Sequence, residues 1–212
     1  MKQQPSFLSL PELLDGWGNS NSLVAGIDEV GRGALFGPVV AAAVTLPPAV
    51  YADLILAGIT DSKLLSAAQR QELDRQIRAV AIDCRVGIAS VREIDRCNIL
   101  QATFLAMNRA VVRLCPQPEF CLVDGNQRIP GLLIPQKTVV KGDQKSVAIA
   151  AASIVAKVWR DELITRLALK HPAYDLAANK GYGTAKHRAA LNQFGVSSQH
   201  RQSFSPCRPA TD

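Results

Sequence analysis

The residues LVAGIDEVGRGALFGPVVAAAVTL, Leu23 to Leu46, contain two apolar runs separated by a glycine-rich turn. Leu23–Asp28 and Pro38–Leu46 each predict a buried strand. The glycines lead into a second strand instead of a helix, and Phe36 stands where the third glycine of a dinucleotide-binding G-x-G-x-x-G motif belongs. The stretch therefore predicts a hairpin and argues against a Rossmann unit.

Hydrophobic periodicity predicts the remaining elements. They are a helix at Ser66–Ala81, a strand at Ile82–Ser90, a helix at Asn98–Leu114, strands at Phe120–Asp124 and Leu132–Val140, and helices at Lys145–Lys170 and Thr184–Phe194. The order β-β-α-β-α-β-β predicts an α/β protein with a five-stranded sheet flanked by helices and a C-terminal helical extension. The long helix starts with KSVAIAAASIVAK, which is so rich in small residues that it must lie close against the sheet.

Length and composition predict one structural unit. The chain has 212 residues, of which 48% are hydrophobic. We expect an N-terminal arm at 1–21, either loose or with one short helix around Pro11–Trp17, a catalytic core at 22–170, and a C-terminal helical region packed on it at 171–212. The sequence has no uninterrupted apolar run of about 18 residues and no secretory signal, which predicts a cytoplasmic protein without membrane contact.

Charge and cysteine content narrow the functional classes. The 24 Lys and Arg exceed the 18 Asp and Glu, giving a net charge of +6 and favouring a polyanionic partner such as nucleic acid. The five cysteines are odd in number and form no C-x-x-C pair, so we interpret them as reduced and mostly buried. A nucleophilic Cys97 or Cys121 is the alternative, with a histidine as its base.

Acidic residues follow three predicted strands or turns. Asp28 and Glu29 end LVAGIDE, Asp124 ends FCLVD, and Asp143 lies in KGD before the alanine-rich helix. Residues at the ends of adjacent strands converge on one edge of an α/β sheet. Four carboxylates carry a charge of about −4, which two divalent cations would balance, and all-oxygen ligands favour Mg²⁺ or Mn²⁺ over zinc. The alternative is that each acid caps a turn or pairs with a nearby arginine.

Glu29 and a further acid, Asp161, differ in position from Asp28, Asp124 and Asp143. Adjacent strand residues point to opposite faces, so Glu29 joins Asp28 only where the strand gives way to the turn, or binds through its backbone or a water. Asp161 lies 18 residues beyond Asp143, a helical rise of about 27 Å. That distance is too long to share a metal pair, so we predict a structural ion pair for Asp161.

The motif GIDEVGRG at Gly26–Gly33 resembles the signature of ribonuclease HII, the type 2 ribonuclease H family. The resemblance continues through DSKLLS (61–66), IDRCNILQATFLAM (94–107), VDG (123–125), KGDQKSVAIAAASIVAKVWRD (141–161), KGYGT (180–184) and HRQSFSP (200–206). These blocks keep their order across nearly the whole chain after residue 21.

The resemblance implies a ribonuclease H-like core with a mixed sheet. It implies an endonuclease that cleaves the RNA strand of RNA–DNA hybrids and incises duplex DNA at single ribonucleotides, as in DNA replication and repair. Two bound Mn²⁺ or Mg²⁺ ions would activate the water and stabilise the departing 3′-oxygen, leaving 5′-phosphate and 3′-hydroxyl ends. We expect a monomer.

The resemblance also assigns roles to residues. The four acids Asp28, Glu29, Asp124 and Asp143 become the catalytic metal ligands. The nucleic-acid-binding residues are the junction-sensing turn Gly31, Arg32 and Gly33, the stacking Tyr182, and Lys63, which with Arg32 is a candidate phosphate contact. Leu65 departs from the pattern, because family members often carry a second lysine there. His187 and His200 stay outside the catalytic set, as surface or packing residues.

Two other functions are alternatives to a ribonuclease HII activity. A non-catalytic nucleic-acid-binding module would share the basic charge, but four clustered acids would repel its ligand. Another ribonuclease H-like nuclease, such as a junction resolvase, would use a similar acid set on different DNA. The turn at Gly31–Gly33 discriminates against the resolvase, because its backbone can approach a sugar and test for a 2′-hydroxyl.

Overall fold

The predicted hairpin lies at the centre of the sheet. A computed structural model describes residues 7–16 and 22–208 and pairs β1 (Val24–Val30) with β2 (Val39–Thr45) in antiparallel fashion. Every residue of β2 is buried, as its unbroken apolar sequence VVAAAVT predicts. The hairpin is confirmed, and the dinucleotide-binding alternative is excluded at this position.

Three more strands complete a mixed sheet of order β3-β2-β1-β4-β5. β3 (Asp83–Ala89) runs antiparallel to β2, while β4 (Phe120–Asp124) is parallel to β1 and β5 (Gln136–Val139) is parallel to β4. The predicted α/β class and five-stranded mixed sheet are therefore confirmed. β5 is shorter than the predicted Leu132–Val140, because the preceding residues form an irregular loop in which the Gln136 side chain bonds the main chain of Ile129.

Helices cover both faces of the sheet. In chain order they are α1 (Leu10–Leu14), α2 (Tyr51–Leu56), α3 (Ala67–Val80), α4 (Val91–Val111), α5 (Val147–Ala168), α6 (Leu176–Asn179) and α7 (Ala185–Phe194). A Cβ placed on Gly26 of β1 would lie 2.1 Å from the Ala148 carbonyl carbon of α5. The alanine-rich helix thus lies directly on the sheet, as predicted, because small residues on both sides permit the close approach.

The predicted helix at Asn98–Leu114 begins too late. α4 starts at Val91, after a capping box between Ser90 and Glu93 that hydrophobic periodicity alone does not reveal. Asn98 interrupts it with φ +69°, and its side-chain oxygen accepts hydrogen bonds from the amides of Leu100 and Gln101. Asn98 therefore acts as an N-cap inside α4, which explains why the helical spacing of apolar residues begins again after it. α2 was not predicted.

The described residues nearest to both ends of the chain pack against the core. Within the described part of the arm, Leu10, Leu13 and Leu14 of α1 are buried against β4 and α5, which supports the short-helix alternative; Trp17 lies outside the described residues. The C-terminal helices share an apolar cluster with Phe36 and Ile164. Among the described residues, no helix is long and apolar enough to cross a membrane.

Candidate active site

The end of β1 and the end of β4 place two carboxylates side by side. Ile27 pairs with Val123 in the parallel register, so Asp28 and Asp124 occupy the next positions of neighbouring strands. Asp28 is 6% exposed, its Oδ1 accepts a hydrogen bond from the Glu29 amide (2.7 Å), and the Ser153 hydroxyl of α5 also bonds it. Burial, followed by the charges of Glu29 and Asp124, raises the pKa of Asp28 well above its usual value.

Glu29 lies on the other face of the sheet. β1 continues to Val30, so the condition for Glu29 to join Asp28, a strand that ends at Glu29, is not met, and the Glu29 side chain faces α4. There it lines a small cavity with Phe104 and Asp124, and its Oε1 accepts from Arg32 Nη1 at 3.2 Å. Burial raises the pKa of Glu29, while Arg32 opposes the shift. Asp124, at the strand end, is thus close to carboxylates on both faces.

Asp143 joins these acids through a single helical turn before α5. The Gly142 amide of that turn donates to Asp124 Oδ1 at 2.7 Å, which fixes the turn against β4. Asp143 is buried and shares a hydrogen bond with Asp61. Burial, with the charges of Asp61 and Asp124, raises the pKa of Asp143 to about 6.

Asp61 is a buried carboxylate at this site that the sequence analysis did not single out. It accepts from the Lys63 amide at 2.9 Å and lies beside Asp143. Its place at the start of the DSKLLS block was the available signal. Burial lowers the pKa of the Lys63 ammonium, but Asp61 and Asp143, followed by more distant acids, raise it more, so the net pKa lies above the usual value. Lys63 is therefore held beside the acidic cluster.

The acids suit a divalent cation in donor chemistry and in charge. All four predicted ligands offer carboxylate oxygens, and two of them are buried with raised pKa values, so positive charge at the site would favour their ionised forms. Within the described ranges, no three or more acidic, histidine or cysteine side chains lie close enough together to hold a metal ion as they stand. Asp143 and Glu29 instead bond Asp61 and Arg32.

The turn Gly31–Gly33 lies beside the acids. Gly31 has φ +89°, and a Cβ on it would lie 2.1 Å from Arg160 Nε, so this glycine is required by the fold. Gly33 differs, because it is exposed and a Cβ there would meet nothing within 4 Å. The Gly33 main chain thus faces open space. Arg32 is exposed and pairs with Glu29.

Two buried arginines bind carbonyl oxygens of the turn and of the residues that follow it. Arg160 donates to the carbonyls of Phe36 (3.0 Å), Pro38 (3.1 Å) and Lys180 (2.9 Å), while Arg201 donates to those of Gly37 (3.0 Å) and Arg32 (2.8 Å). Burial, reinforced by the charge of Arg160, lowers the pKa of Arg201 to about 9. The turn is therefore tied to α5 and to the C-terminal segment.

Tyr182 is brought to the same turn. Its main chain forms an isolated β-bridge with Ala34, and the neighbouring Gly181 carbonyl accepts from the Leu35 amide at 2.8 Å. The ring is half-buried, with the Lys157 ammonium 5.8 Å and the Arg160 guanidinium 5.6 Å from its centroid. The structure therefore joins the predicted junction turn and the predicted stacking tyrosine in one surface.

Of the two alternatives for His187 and His200, surface or packing residues, the structure supports packing. They are 0% and 1% exposed, and their Nε2 atoms are 3.1 Å apart. Burial, followed by the charges of His187 and His171, lowers the pKa of His200 to about 4. Burial also lowers the pKa of His187.

Acid should weaken the fold through this pair. The unfolded chain binds a proton on each histidine below about pH 6.5, whereas folded His200 stays neutral down to about 4. The free energy of unfolding is therefore expected to fall as the pH drops from about 6.5 towards 4. Urea unfolding at about pH 7.5 and about pH 5 measures this drop, which should be smaller in His200→Gln. Equal drops in both proteins would contradict it.

The remaining sequence predictions concern Asp161 and the cysteines. Asp161 forms the predicted ion pair, with Lys157 Nζ at 2.8 Å. All five cysteines are free, but the expectation that most are buried is too broad: Cys121 and Cys207 are buried and Cys115 is exposed. Burial raises the pKa of Cys121 to about 12, which argues against a nucleophilic thiolate there.

Comparison with known proteins identifies relatives over most of the chain. The family model for ribonuclease HII matches residues 25–207. The chain is 66% identical to ribonuclease HII of Trichodesmium erythraeum over 188 residues, 89% of each protein, and 62% identical to that of Acaryochloris marina over 190 residues, 90% of this chain and 96% of the relative.

Solved structures agree with the fold. Ribonuclease H2 of Pyrococcus horikoshii is 26% identical, with a TM-score of 0.72 over 87% of this chain and 95% of that one. Ribonuclease HII of Archaeoglobus fulgidus, solved in complex with PCNA, is 30% identical, with a TM-score of 0.72 over 84% and 93%. The ribonuclease H-like architecture expected from the sequence is confirmed.

Proposed function

The chain belongs to the ribonuclease HII family and is an endoribonuclease of RNA–DNA hybrids, and we propose that it also incises duplex DNA at single ribonucleotides. The proposal rests on two features that lie side by side in the structure. Carboxylates of β1, β4 and the turn before α5 gather at one edge of the sheet, and the open turn at Gly33 lies beside them, joined to Tyr182.

The proposed metal ligands are Asp28, Glu29, Asp124 and Asp143, which would hold two Mg²⁺ or Mn²⁺ ions. When bound, such ions supply an activated water and stabilise a leaving 3′-oxygen, which gives 5′-phosphate and 3′-hydroxyl ends. The chain itself prepares the ligands: the Glu29 amide orients the Asp28 carboxylate, and the Gly142 amide orients that of Asp124.

Basic residues around the acids would receive the nucleic-acid backbone. Lys63 is exposed and lies in the field of the carboxylates, so its ammonium can neutralise a phosphate that enters beside them. Arg32 can exchange its partly exposed ion pair with Glu29 for a phosphate contact, which would also free the Glu29 carboxylate. Leu65 offers no charge and packs against the core instead.

The turn would distinguish RNA from DNA. The space beside the Gly33 α-carbon is empty, so a sugar can approach this glycine closely enough for main-chain groups of the turn to test for its 2′-hydroxyl. A junction resolvase has no need of this test. The proposed substrates are therefore RNA–DNA hybrids and duplexes with embedded ribonucleotides.

An end-labelled assay on three matched duplexes tests this function: all DNA, RNA–DNA hybrid, and DNA with one ribonucleotide. We expect cleavage of the second and third and none of the first. Cleavage of the hybrid alone would refute the single-ribonucleotide activity, and cleavage of branched all-DNA substrates would favour a resolvase.

Metal removal should stop the reaction. Chelator is expected to abolish cleavage, and Mg²⁺ or Mn²⁺ to restore it, because the clustered carboxylates need compensating charge. Calcium should bind without supporting turnover, since its looser coordination misplaces the water. The measurement is the initial rate with each ion after dialysis against chelator. Full activity in chelator, or restoration by zinc alone, would contradict the all-oxygen site.

Two glycine variants separate recognition from folding. Gly33→Ala should keep the melting temperature of the native protein, since a Cβ there meets no neighbour, but should lose activity because the methyl group obstructs the sugar. Gly31→Ala is the contrasting variant, expected to be destabilised by collision with Arg160 and by its positive φ. Thermal unfolding and cleavage rates measure both. Normal activity of Gly33→Ala would argue against close approach at this position.

A further inference from the structure

A chain of hydrogen bonds connects the C-terminal segment to the main chain of Tyr182. The Ser197 amide donates to Nδ1 of His200 at 2.9 Å, and Nε2 of His200 lies 3.1 Å from Nε2 of His187. Nδ1 of His187 lies 3.0 Å from the Tyr182 carbonyl oxygen. We call Ser197, His200, His187 and the Tyr182 carbonyl the histidine relay.

The two ends of the histidine relay determine its protonation. The Ser197 amide is a donor, so Nδ1 of His200 accepts and the neutral ring carries its proton on Nε2. The Tyr182 carbonyl is an acceptor, so His187 carries its proton on Nδ1 and accepts from His200 at Nε2. Every bond then points from Ser197 towards Tyr182, with both rings neutral.

The same C-terminal segment also binds the residues that follow the junction turn. The Gln199 carbonyl accepts from the Gly37 amide at 2.8 Å, and the Arg201 amide donates to the Leu35 carbonyl at 2.9 Å. The Tyr182 carbonyl has a second, local donor in the Thr184 amide at 2.8 Å. The relay adds a bond that fixes the Tyr182 carbonyl relative to the C-terminal segment, which also binds the residues after the turn.

We propose that His187 and His200 are positioning residues for Tyr182. They set the tyrosine at a defined distance from the turn Gly31–Gly33, so that ring and turn can contact consecutive sugars of an RNA-to-DNA junction. This inference rests on the proposed function of Tyr182, which it deepens. An apolar pair would fill the same volume, but it would leave the Tyr182 carbonyl without its link to the C-terminal segment.

Two amide variants of one residue test the relay. The side-chain amide of His200→Gln reaches the position of Nε2 and can still donate to His187, whereas that of His200→Asn ends near Nδ1 and cannot. The kcat and KM of both are measured on the single-ribonucleotide duplex and on the hybrid, with Tyr182→Ala in parallel. Melting temperatures are recorded for all of them.

We expect His200→Asn to lose about 3- to 10-fold in kcat/KM on the substrate that Tyr182→Ala affects most, and His200→Gln to restore most of that loss. Equal losses in the two variants, following their melting temperatures, would overturn the positioning role and leave a packing pair. If Tyr182→Ala has no substrate preference, the junction-reading function fails. The relay is still judged by whether His200→Asn, but not His200→Gln, reproduces the Tyr182→Ala profile.

A measurement on the wild-type protein tests the relay even if the variants do not fold. Nitrogen NMR of the imidazoles reports which nitrogen carries each proton. The relay requires Nδ1–H on His187 and Nε2–H on His200. Reversed tautomers, or a charged ring at neutral pH, would overturn it.

Discussion

Asp124→Asn is expected to lower the cleavage rate by at least about a thousandfold, because the ion-binding charge at the centre of the acidic cluster is lost. The amide keeps an oxygen that can accept the Gly142 hydrogen bond, so the turn before α5 should remain in place. Asp143→Asn should have a similar effect. Single-turnover rates at saturating Mg²⁺ and Mn²⁺ provide the measurement.

These substitutions should not destabilise the protein. In metal-free protein each substitution removes one of several like charges, so the melting temperature should stay the same or rise. Asp161→Asn is the matched control, because it makes the same chemical change in an ion pair on α5 outside the acidic cluster. Near-normal turnover in Asp124→Asn or Asp143→Asn would remove that residue from the proposed metal ligands.

Tyr182→Ala is expected to reduce cleavage at a single ribonucleotide far more than cleavage of a long hybrid. Stacking on an aromatic ring contributes about 1–3 kcal/mol, or about 5- to 150-fold in kcat/KM. A single ribonucleotide offers one register in which turn and ring both make contact, whereas a long hybrid offers many. The ratio of kcat/KM on the two substrates is the measurement.

Tyr182→Phe is the matched control, since it keeps the ring beside Lys157 and Arg160 and removes the hydroxyl alone. We expect it to retain most of the substrate preference. Equal losses of Tyr182→Ala on both substrates, with an unchanged melting temperature, would reassign the tyrosine to general duplex binding. A lower melting temperature without loss of rate would make it a packing residue.

Local patterns were sufficient to predict most of the fold. The apolar runs around the Gly31–Gly33 turn specify the hairpin, because period and composition are properties of neighbouring residues. The alanines of α5 predict close packing for the same reason. The start of α4 was missed, since the internal cap at Asn98 resembles a helix start and hides the first turns.

Side-chain partnerships between distant segments leave no such pattern. The rule that strand ends converge brought Asp28 and Asp124 together correctly, but the bond between Asp61 and Asp143 depends on how a short turn meets α5. The His187–His200 pair likewise joins α7 to an irregular segment. Each imidazole appears in the sequence as a lone polar residue, and its role depends on a tertiary contact.

The most direct test of the proposed function is to identify the ends produced from a duplex with one ribonucleotide. The reaction is run with Mg²⁺ or Mn²⁺ and with chelator, and mass spectrometry of the fragments determines both the position of the cut and the chemistry of its ends. We expect a single incision at the ribonucleotide, with 5′-phosphate and 3′-hydroxyl ends, that disappears in chelator and in Asp124→Asn. A 2′,3′-cyclic phosphate, an uncut duplex, or the same incision in chelator would contradict it.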